Sequence, residues 1–283
     1  MSNASTMPNH PRSLDFARLH EGGCLVMPNA WDPGSALLLG ALGFRAIATT
    51  SSGFAWSRGR RDNHVPLEEM LVHLRDIAGA ASVPVNADFE DGFATAPDAV
   101  ALNVRRAVQT GIAGLSIEDS TGDARHPLFE FALAVERVRA ARRAIDEGGT
   151  PVVLTARSEG FIVGRPDLAE TVRRLEAFAE AGADCLYAPG IRTPSEISAV
   201  VRAVAPRPVN VLVGGDFTTV AALADLGVRR VSVGGALARV AWAGFLAAAR
   251  EIAEQGTFGR LSSAVPSAEL ERAFPDAARR RFP

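Results

Sequence analysis

Short apolar runs rich in Val, Ile and Ala alternate with longer runs of Ala, Leu, Arg and Glu along most of the chain. The short runs, at 24–29, 46–50, 83–88, 114–118, 151–157, 185–189, 209–213 and 230–234, read as strands. Each precedes a helical pattern, at 34–42, 66–78, 97–110, 131–147, 167–181, 194–203, 218–226 and 236–254. The strand runs are nearly continuous in apolar residues, which marks strands covered on both faces, as in a parallel sheet wrapped in helices. Pro66, Pro97 and Pro194 stand at helix starts, where a missing N–H costs nothing, and Asp167 can cap the helix after it. ALGFRAI, TGIAGLSI, EAGADCLY and DLGVRRVSV repeat one phrase: helix end, glycine in a left-handed cap, short link, next strand.

Strand-then-helix units in this number predict an α/β fold of the (β/α)8 TIM-barrel type, with a catalytic barrel over residues 14–255. A doubly wound dinucleotide fold is rejected. No GxGxxG follows the first strand, and VGGDF and VGGALAR lack the required spacing and acidic partner. Residues 1–13 are polar and read as a flexible leader. Residues 256–283 are punctuated by Gly, Ser and Pro around one helical piece at 267–274, and read as a tail or as an arm on a neighbouring subunit.

The 283 residues, 47% hydrophobic, suffice for a sizeable core. A net charge of -2, with arginines scattered along helices and balanced by acids, argues against a nucleic-acid partner. No uncharged apolar run reaches the roughly 20 residues of a membrane helix. Cys24 and Cys185 each lie in an apolar strand and form no CxxC pair, which fits buried thiols in a reducing cytoplasm.

In a parallel barrel the strand ends share one mouth. PVNADFEDGF ends a strand with Asp88 and Glu90; at i, i+2 both side chains share a side if the strand continues. Two close carboxylates repel unless a cation lies between them, so they hold a divalent metal or form a solvated loop pair. GLSIEDS brings Glu118 to the mouth, with a salt bridge to an outer helix as the alternative, and turns Asp119 away. The absence of a His/Cys cluster favours magnesium, with manganese as the alternative. PVVLTARSE ends with Arg157, which needs an anion: Glu118, Glu159 or a substrate carboxylate.

The stretch TTSSGFAWSRGRRDNH is donor-rich. The amides of Gly53 and Phe54, beside Ser52, can cradle an anionic group, and Asp62 can meet the metal's water shell; a plain turn is the alternative. Trp31 and Asp32 read as a mouth-side aromatic and a helix cap, either able to touch substrate. Asn29 and Asn210 lie in strands, facing substrate or bonded within the barrel. STGDARHPLFE reads as a mobile lid, with His126 as a surface histidine and a proton shuttle as the alternative.

PNAWDPGSA, TTSSGFAWSRGRRD, PVNADFEDGF, GLSIEDS, TARSE, AGADCLYAPG and VRRVSVGGALAR together resemble the isocitrate lyase/phosphoenolpyruvate mutase superfamily. The resemblance implies a barrel whose last helix is exchanged between subunits, a homodimer or homotetramer, Mg2+ held mostly through water, and chemistry on enolates of small anionic 2-oxo acids. It places the metal-shell carboxylates on Asp62, Asp88, Glu90 and Glu118. It places substrate contacts on Arg157, Ser52, Gly53 and Phe54, with Trp31 and Asp32 nearby. Asp62, Glu118 and Arg157 are then the catalytic candidates, and Asn210 a further substrate contact.

Three departures narrow the expectation. Glu90 replaces the usual second Asp, the lyases' Lys-Arg/Lys-Cys-Gly-His loop is replaced by STGDARHPLF, and the phosphonomutases' lid Lys and Asn are missing. The leading expectation is a Mg2+-dependent carbon–carbon lyase, similar to an oxaloacetate decarboxylase. The alternatives are a P–C bond enzyme, an oxaloacetate hydrolase and a non-catalytic barrel.

Overall fold

The structure, a computed structural model, describes residues 10–274. The strands are β1 (Leu25–Met27), β2 (Asn29–Ala30), β3 (Ile47–Thr49), β4 (Val85–Asp88), β5 (Gly114–Glu118), β6 (Val153–Arg157), β7 (Cys185–Tyr187), β8 (Val209–Leu212) and β9 (Arg230–Ser232). They form one parallel sheet in the order β1-β9-β8-β7-β6-β5-β4-β3-β2.

The first predicted strand is present as two pieces, β1 and β2, parted at Pro28. The first piece pairs with β9 and the second with β3, so one stretch of chain closes the ring. Pro28 has no N–H to give, but its carbonyl still accepts from Ala48 N–H at 2.9 Å. Asn29 completes the seam: its Nδ2 donates to the Thr49 carbonyl at 2.6 Å, and its Oδ1 accepts from the amides of Val233 and Gly234. Asn29 is thus bonded within the barrel, and it also lines the cavity described below.

The helices are α1 (His10–Arg18), α2 (Pro33–Ala41), α3 (Ser51–Ser57), α4 (Leu67–Ala80), α5 (Pro97–Val108), α6 (Phe131–Glu147), α7 (Leu168–Glu180), α8 (Pro194–Ala203), α9 (Val220–Asp225), α10 (Ala236–Gln255) and α11 (Ser267–Ala273). Two of them were not expected. α1 begins inside the segment read as a leader, whose first nine residues lie outside the described ones. α3 forms where a polar loop was expected.

α1 lies across the amino-terminal end of the barrel. Its fully buried Phe16 packs with Leu25, Met27, Ala46, Ala48, Ala113 and Val153. Gly114 allows this approach, since a Cβ there would stand 2.5 Å from the Phe16 ring. The amphipathic helices α4 to α8 cover the outside, and Asp167 caps α7 through the Glu170 amide at 3.0 Å. No helix among the described residues is long and apolar enough to cross a membrane.

α10 behaves differently. Of its residues only Ala238 is buried, while Val240, Trp242, Phe245 and Leu246 are exposed. Near its end Glu251 accepts from the amides of Gly259 and Arg260 in the segment that follows, and α11 reaches back to α2. The rest of the predicted tail, 275–283, lies outside the described residues.

Candidate active site

Arg157 is the hub. Its Nη1 donates to Asp88 Oδ1 at 2.7 Å, its Nε to Glu159 Oε1 at 2.8 Å, and its Nη2 lies 3.2 Å from Glu118 Oε2. The guanidinium lies 5.1 Å from the centroid of the Tyr187 ring. Burial alone would favour its loss of charge, but Glu159, Glu118 and Asp88 outweigh that and hold it protonated. Both substrate-free expectations for its partner, Glu118 and Glu159, are met at once.

Asp88 is fixed from three sides. Its amide donates to Thr49 Oγ1 at 2.8 Å, its Oδ2 accepts from the Ser51 amide at 2.9 Å, and its Oδ1 takes Arg157. Asp62 accepts from Ser51 Oγ at 3.2 Å and from the Asn63 amide at 3.1 Å. Burial and then Asp88 raise the Asp62 carboxyl.

The strand does not continue to Glu90. β4 ends at Asp88, and Glu90 sits in a turn with φ 46°. Gly92, with φ 75°, returns its amide to the Phe89 carbonyl and closes that turn. The i, i+2 parity argument thus fails on its premise. Glu90 is nevertheless buried beside the cluster, and its Oε1 has no hydrogen-bond partner. Burial, then Asp88 and Asp62, push its carboxyl up to about 8. Glu118 is raised chiefly by burial and is held back by Arg157.

Asp119 faces the other way, as expected. It accepts from the Glu159 amide at 2.8 Å and pairs with Arg174 of α7 at 3.0 Å.

The cavity here, about 190 Å³, runs from Asp62, Ser52 and Gly235 at the mouth past Asp88, Arg157, Glu159 and Tyr187 to Asn86, Asn210 and Arg230. Several expected contacts do not line it. The stretch 51–57 coils into α3, with Thr50 as its cap. The Gly53 amide is given to Thr50 Oγ1 and the Phe54 amide to the Thr50 carbonyl, so neither is free for an anion. Ser52 stays at the mouth. Phe54 turns outward and stacks on His73 at 3.7 Å, in a separate recess that also holds Trp31 and Asp32. Asp32 caps α2, accepting from the Ser35 amide at 2.6 Å. Asn210 is deep in the barrel; its Nδ2 donates to Ser232 Oγ and its Oδ1 accepts from Arg230 Nε, both at 2.9 Å.

The expected lid, 120–129, folds on itself. Ser120 bridges Leu128, the Thr121 amide donates to the Pro127 carbonyl, and no residue of the segment lines the cavity. The His126 side chain is 81% exposed, as a surface histidine should be.

Sequence reasoning missed Tyr187, Asn86, Ser116, Arg230 and Ser232 as lining residues. The signal was available in part. Ser116 lies two positions before Glu118, and Arg230 two before Ser232, so each pair shares the inward face of its strand.

A closed parallel barrel with an acid-flanked arginine at the carboxyl ends of its strands has the layout of TIM-barrel enzymes. The family model described as phosphoenolpyruvate phosphomutase matches residues 16–253, and the chain belongs to that family, within the isocitrate lyase/phosphoenolpyruvate mutase superfamily of lyases and mutases. A solved structure from Burkholderia cenocepacia, described provisionally as a lyase/mutase, superposes with a TM-score of 0.90 at 47% identity, covering 93% of this chain and 95% of that one. An uncharacterized Mycobacterium tuberculosis protein is 35% identical over 260 residues, 91% of this chain and 94% of its own. An oxaloacetate decarboxylase from Rhodopseudomonas palustris is 28% identical over 179 residues, 60% of this chain and 57% of its own.

Proposed function

We propose that this protein is a magnesium-dependent lyase that breaks a C–C bond in a small 2-oxo acid or related dicarboxylate through an enolate, with oxaloacetate decarboxylation as the simplest case. The observation that carries this reading is the imbalance of charge at the mouth. Asp62, Asp88, Glu90, Glu118 and Glu159 gather around one guanidinium, and a Glu90 oxygen is left without a partner.

The donor set fits a hard cation. It consists of carboxylate oxygens with no His or Cys, which suits magnesium or manganese. Among the described residues no three such groups stand close enough for direct ligation. Asp62, Asp88, Glu90 and Glu118 would therefore hold the ion largely through water, which magnesium gives up reluctantly. When bound, it would supply Lewis-acid stabilisation of the enolate oxygen.

The chain's own residues do the rest. Arg157 is clamped by three acids, so its charge is already oriented when an anionic substrate arrives. Ser52 presents a hydroxyl at the mouth. Asp62, raised by burial and steered by Ser51, is the side chain placed to hold a proton there. The sequence contains no lysine, so Schiff-base chemistry is unavailable to it. Similarity to the Rhodopseudomonas decarboxylase supports the carbon–carbon reading.

The exposed apolar face of α10 supports a homodimer or homotetramer in which this helix is exchanged between subunits.

The test is direct. Protein with Mg2+ is offered oxaloacetate, substituted malates and phosphonopyruvate, and pyruvate, glyoxylate and phosphate-bearing products are followed. Turnover of a 2-oxo acid or malate is expected. Turnover of phosphonopyruvate alone moves the chemistry to the P–C bond. No turnover, together with no calorimetric binding of oxalate at saturating magnesium, removes the enzyme reading.

A further inference from the structure

Among the described residues the barrel buries Arg137, Arg174 and Arg230 and largely encloses Arg157, and three of these four have obvious partners. Arg157 is held by three carboxylates. Arg174 pairs with Asp119 and Glu170. Arg137 donates to the carbonyls of Asp91, Ala94 and Thr95 and lies 3.8 Å over the Phe129 ring, with the Asp91 carboxylate supporting its charge. The fourth, Arg230, is only 2% exposed and has no carboxylate within ion-pair distance among the described residues.

Its contacts are neutral. Nε donates to Asn210 Oδ1 at 2.9 Å, and Nη1 stands 3.5 Å from His20 Nε2. The Nδ1 of His20 lies 2.8 Å from the Phe16 carbonyl, so the ring proton is assigned to Nδ1 and Nε2 is left as an acceptor. Burial and then Arg230 push the His20 ring down to about 4, which keeps it neutral at ordinary pH. Cys185, on β7 one strand beyond β8, is raised by burial and stays a thiol. A buried cation with only neutral partners is costly to maintain.

Arg230 also lines the cavity that Arg157 lines. Successive strand pairings put Arg157, Tyr187, Asn210 and Arg230 in one row. The row spans three strand gaps, roughly 14 Å along the sheet, and the two long side chains shorten that interval inside the barrel. One end of the cavity has surplus acid and the other an unanswered cation.

We propose that Arg230 is the anchor for a second, distal carboxylate of the substrate, held at the barrel floor while the 2-oxo acid end lies at the mouth beside Arg157. The proposal rests on the lyase reading and narrows it to short dicarboxylates. Asn210 holds the guanidinium in place and is a positioning residue. A carboxylate paired with an arginine is stabilised and leaves poorly as carbon dioxide, so the anchored group is one that the substrate keeps. This turns the lyase reading from oxaloacetate decarboxylation, which expels the distal carboxylate, to cleavage of a C–C bond between the two carboxylates, as in a substituted malate.

Calorimetry with Mg2+ and three probes tests this. Oxalate reports the mouth alone. 2-Oxoglutarate and 2-oxopentanoate share the 2-oxo acid end and differ in the distal carboxylate. The wild-type protein is expected to bind 2-oxoglutarate about ten- to hundredfold more tightly than 2-oxopentanoate, the range of a charged hydrogen bond. Arg230→Met should bring that ratio close to one and leave oxalate affinity within about twofold. Asn210→Asp places an internal carboxylate against Arg230 in nearly the same volume. It should keep the fold and also collapse the ratio, which covers the case in which Arg230→Met does not fold. Equal affinity for the two oxo acids in the wild type, or an unchanged ratio in Asn210→Asp, overturns the proposal while oxalate binding stands. Failure of oxalate to bind the wild type overturns the lyase reading instead.

Discussion

The mouth and the floor of the barrel each bury an arginine, and the two are opposite in surroundings. Arg157 has more acid around it than one cation can balance, and an oxygen of Glu90 is left over. Arg230 has a neutral amide and a neutral imidazole. A third arginine shows what balance looks like. Arg174, on the far side of the β5 and β6 ends, meets Asp119, Glu170 and the Phe129 carbonyl. That cluster is closed on itself and ties the outer helix to the strands. A charge imbalance of opposite sign at the two ends of one cavity is what the proposed reading uses: a cation at the mouth and an anionic group at the floor.

The sharpest break of this contrast is Asp88→Ala. It removes the acid that both Arg157 and the α3 amide grip. Metal-dependent turnover is expected to fall by about 10³-fold, the upper range for losing one electrostatic group in an active site. Retained turnover in steady-state assays would place the metal elsewhere.

Next is the matched pair. Asp119→Ala leaves Arg174 with Glu170 and the Phe129 carbonyl and removes the acceptor of the Glu159 amide. Breaking a buried pair in this way costs about 3–5 kcal/mol. Urea unfolding should show that loss, with oxalate affinity unchanged in the protein that stays folded. A loss of oxalate affinity without a loss of stability would make Asp119 part of the site.

The two ends should also titrate with opposite signs. Glu90 is raised from 4.5 to about 8, so without metal the native state keeps a proton that the unfolded chain releases. Its contribution to stability therefore falls as pH rises across that interval. His20 is lowered from 6.5 to about 4, so the unfolded chain binds a proton that the native state refuses. Its contribution is lost as pH falls from 6.5 to about 4. Thermal melts in EDTA should show Glu90→Gln losing the first slope and His20→Gln the second. Variants that keep the wild-type slopes would remove the electrostatic contrast.

The smallest effect belongs outside both ends. Asp32→Ala removes the cap of α2 and should cost about 1 kcal/mol. Oxalate affinity, read by calorimetry, should not change. A change would return Asp32 to the substrate.

Much of the mouth was legible in the chain. Asp88, Glu118 and Arg157 end strands, and the outward turn of Asp119 follows from alternation alone. Glu90 was located for the wrong reason. Alternation assumes extended backbone, and its φ of 46° ends that assumption one residue after Phe89. The amides of Gly53 and Phe54 are taken up within α3, and polar, donor-rich composition does not distinguish an open loop from a short helix that uses the same amides. Trp31 followed: once α3 forms, Phe54 and Trp31 fall on its outer side with His73. Arg230 was invisible as a site residue because its meaning lies in an absent partner, and sequence does not record what stands opposite.

The chain by itself determined the order of strands and helices, their parallel wrapping and the acids and arginine at the strand ends. Apolar runs and capping residues act over a few neighbours, and those interactions are local. Only the folded barrel decided which of these side chains meet. A single turn dihedral or one helical turn rotates a side chain from the cavity to the outer layer, and the pairing of charges across strands depends on register between segments far apart in sequence.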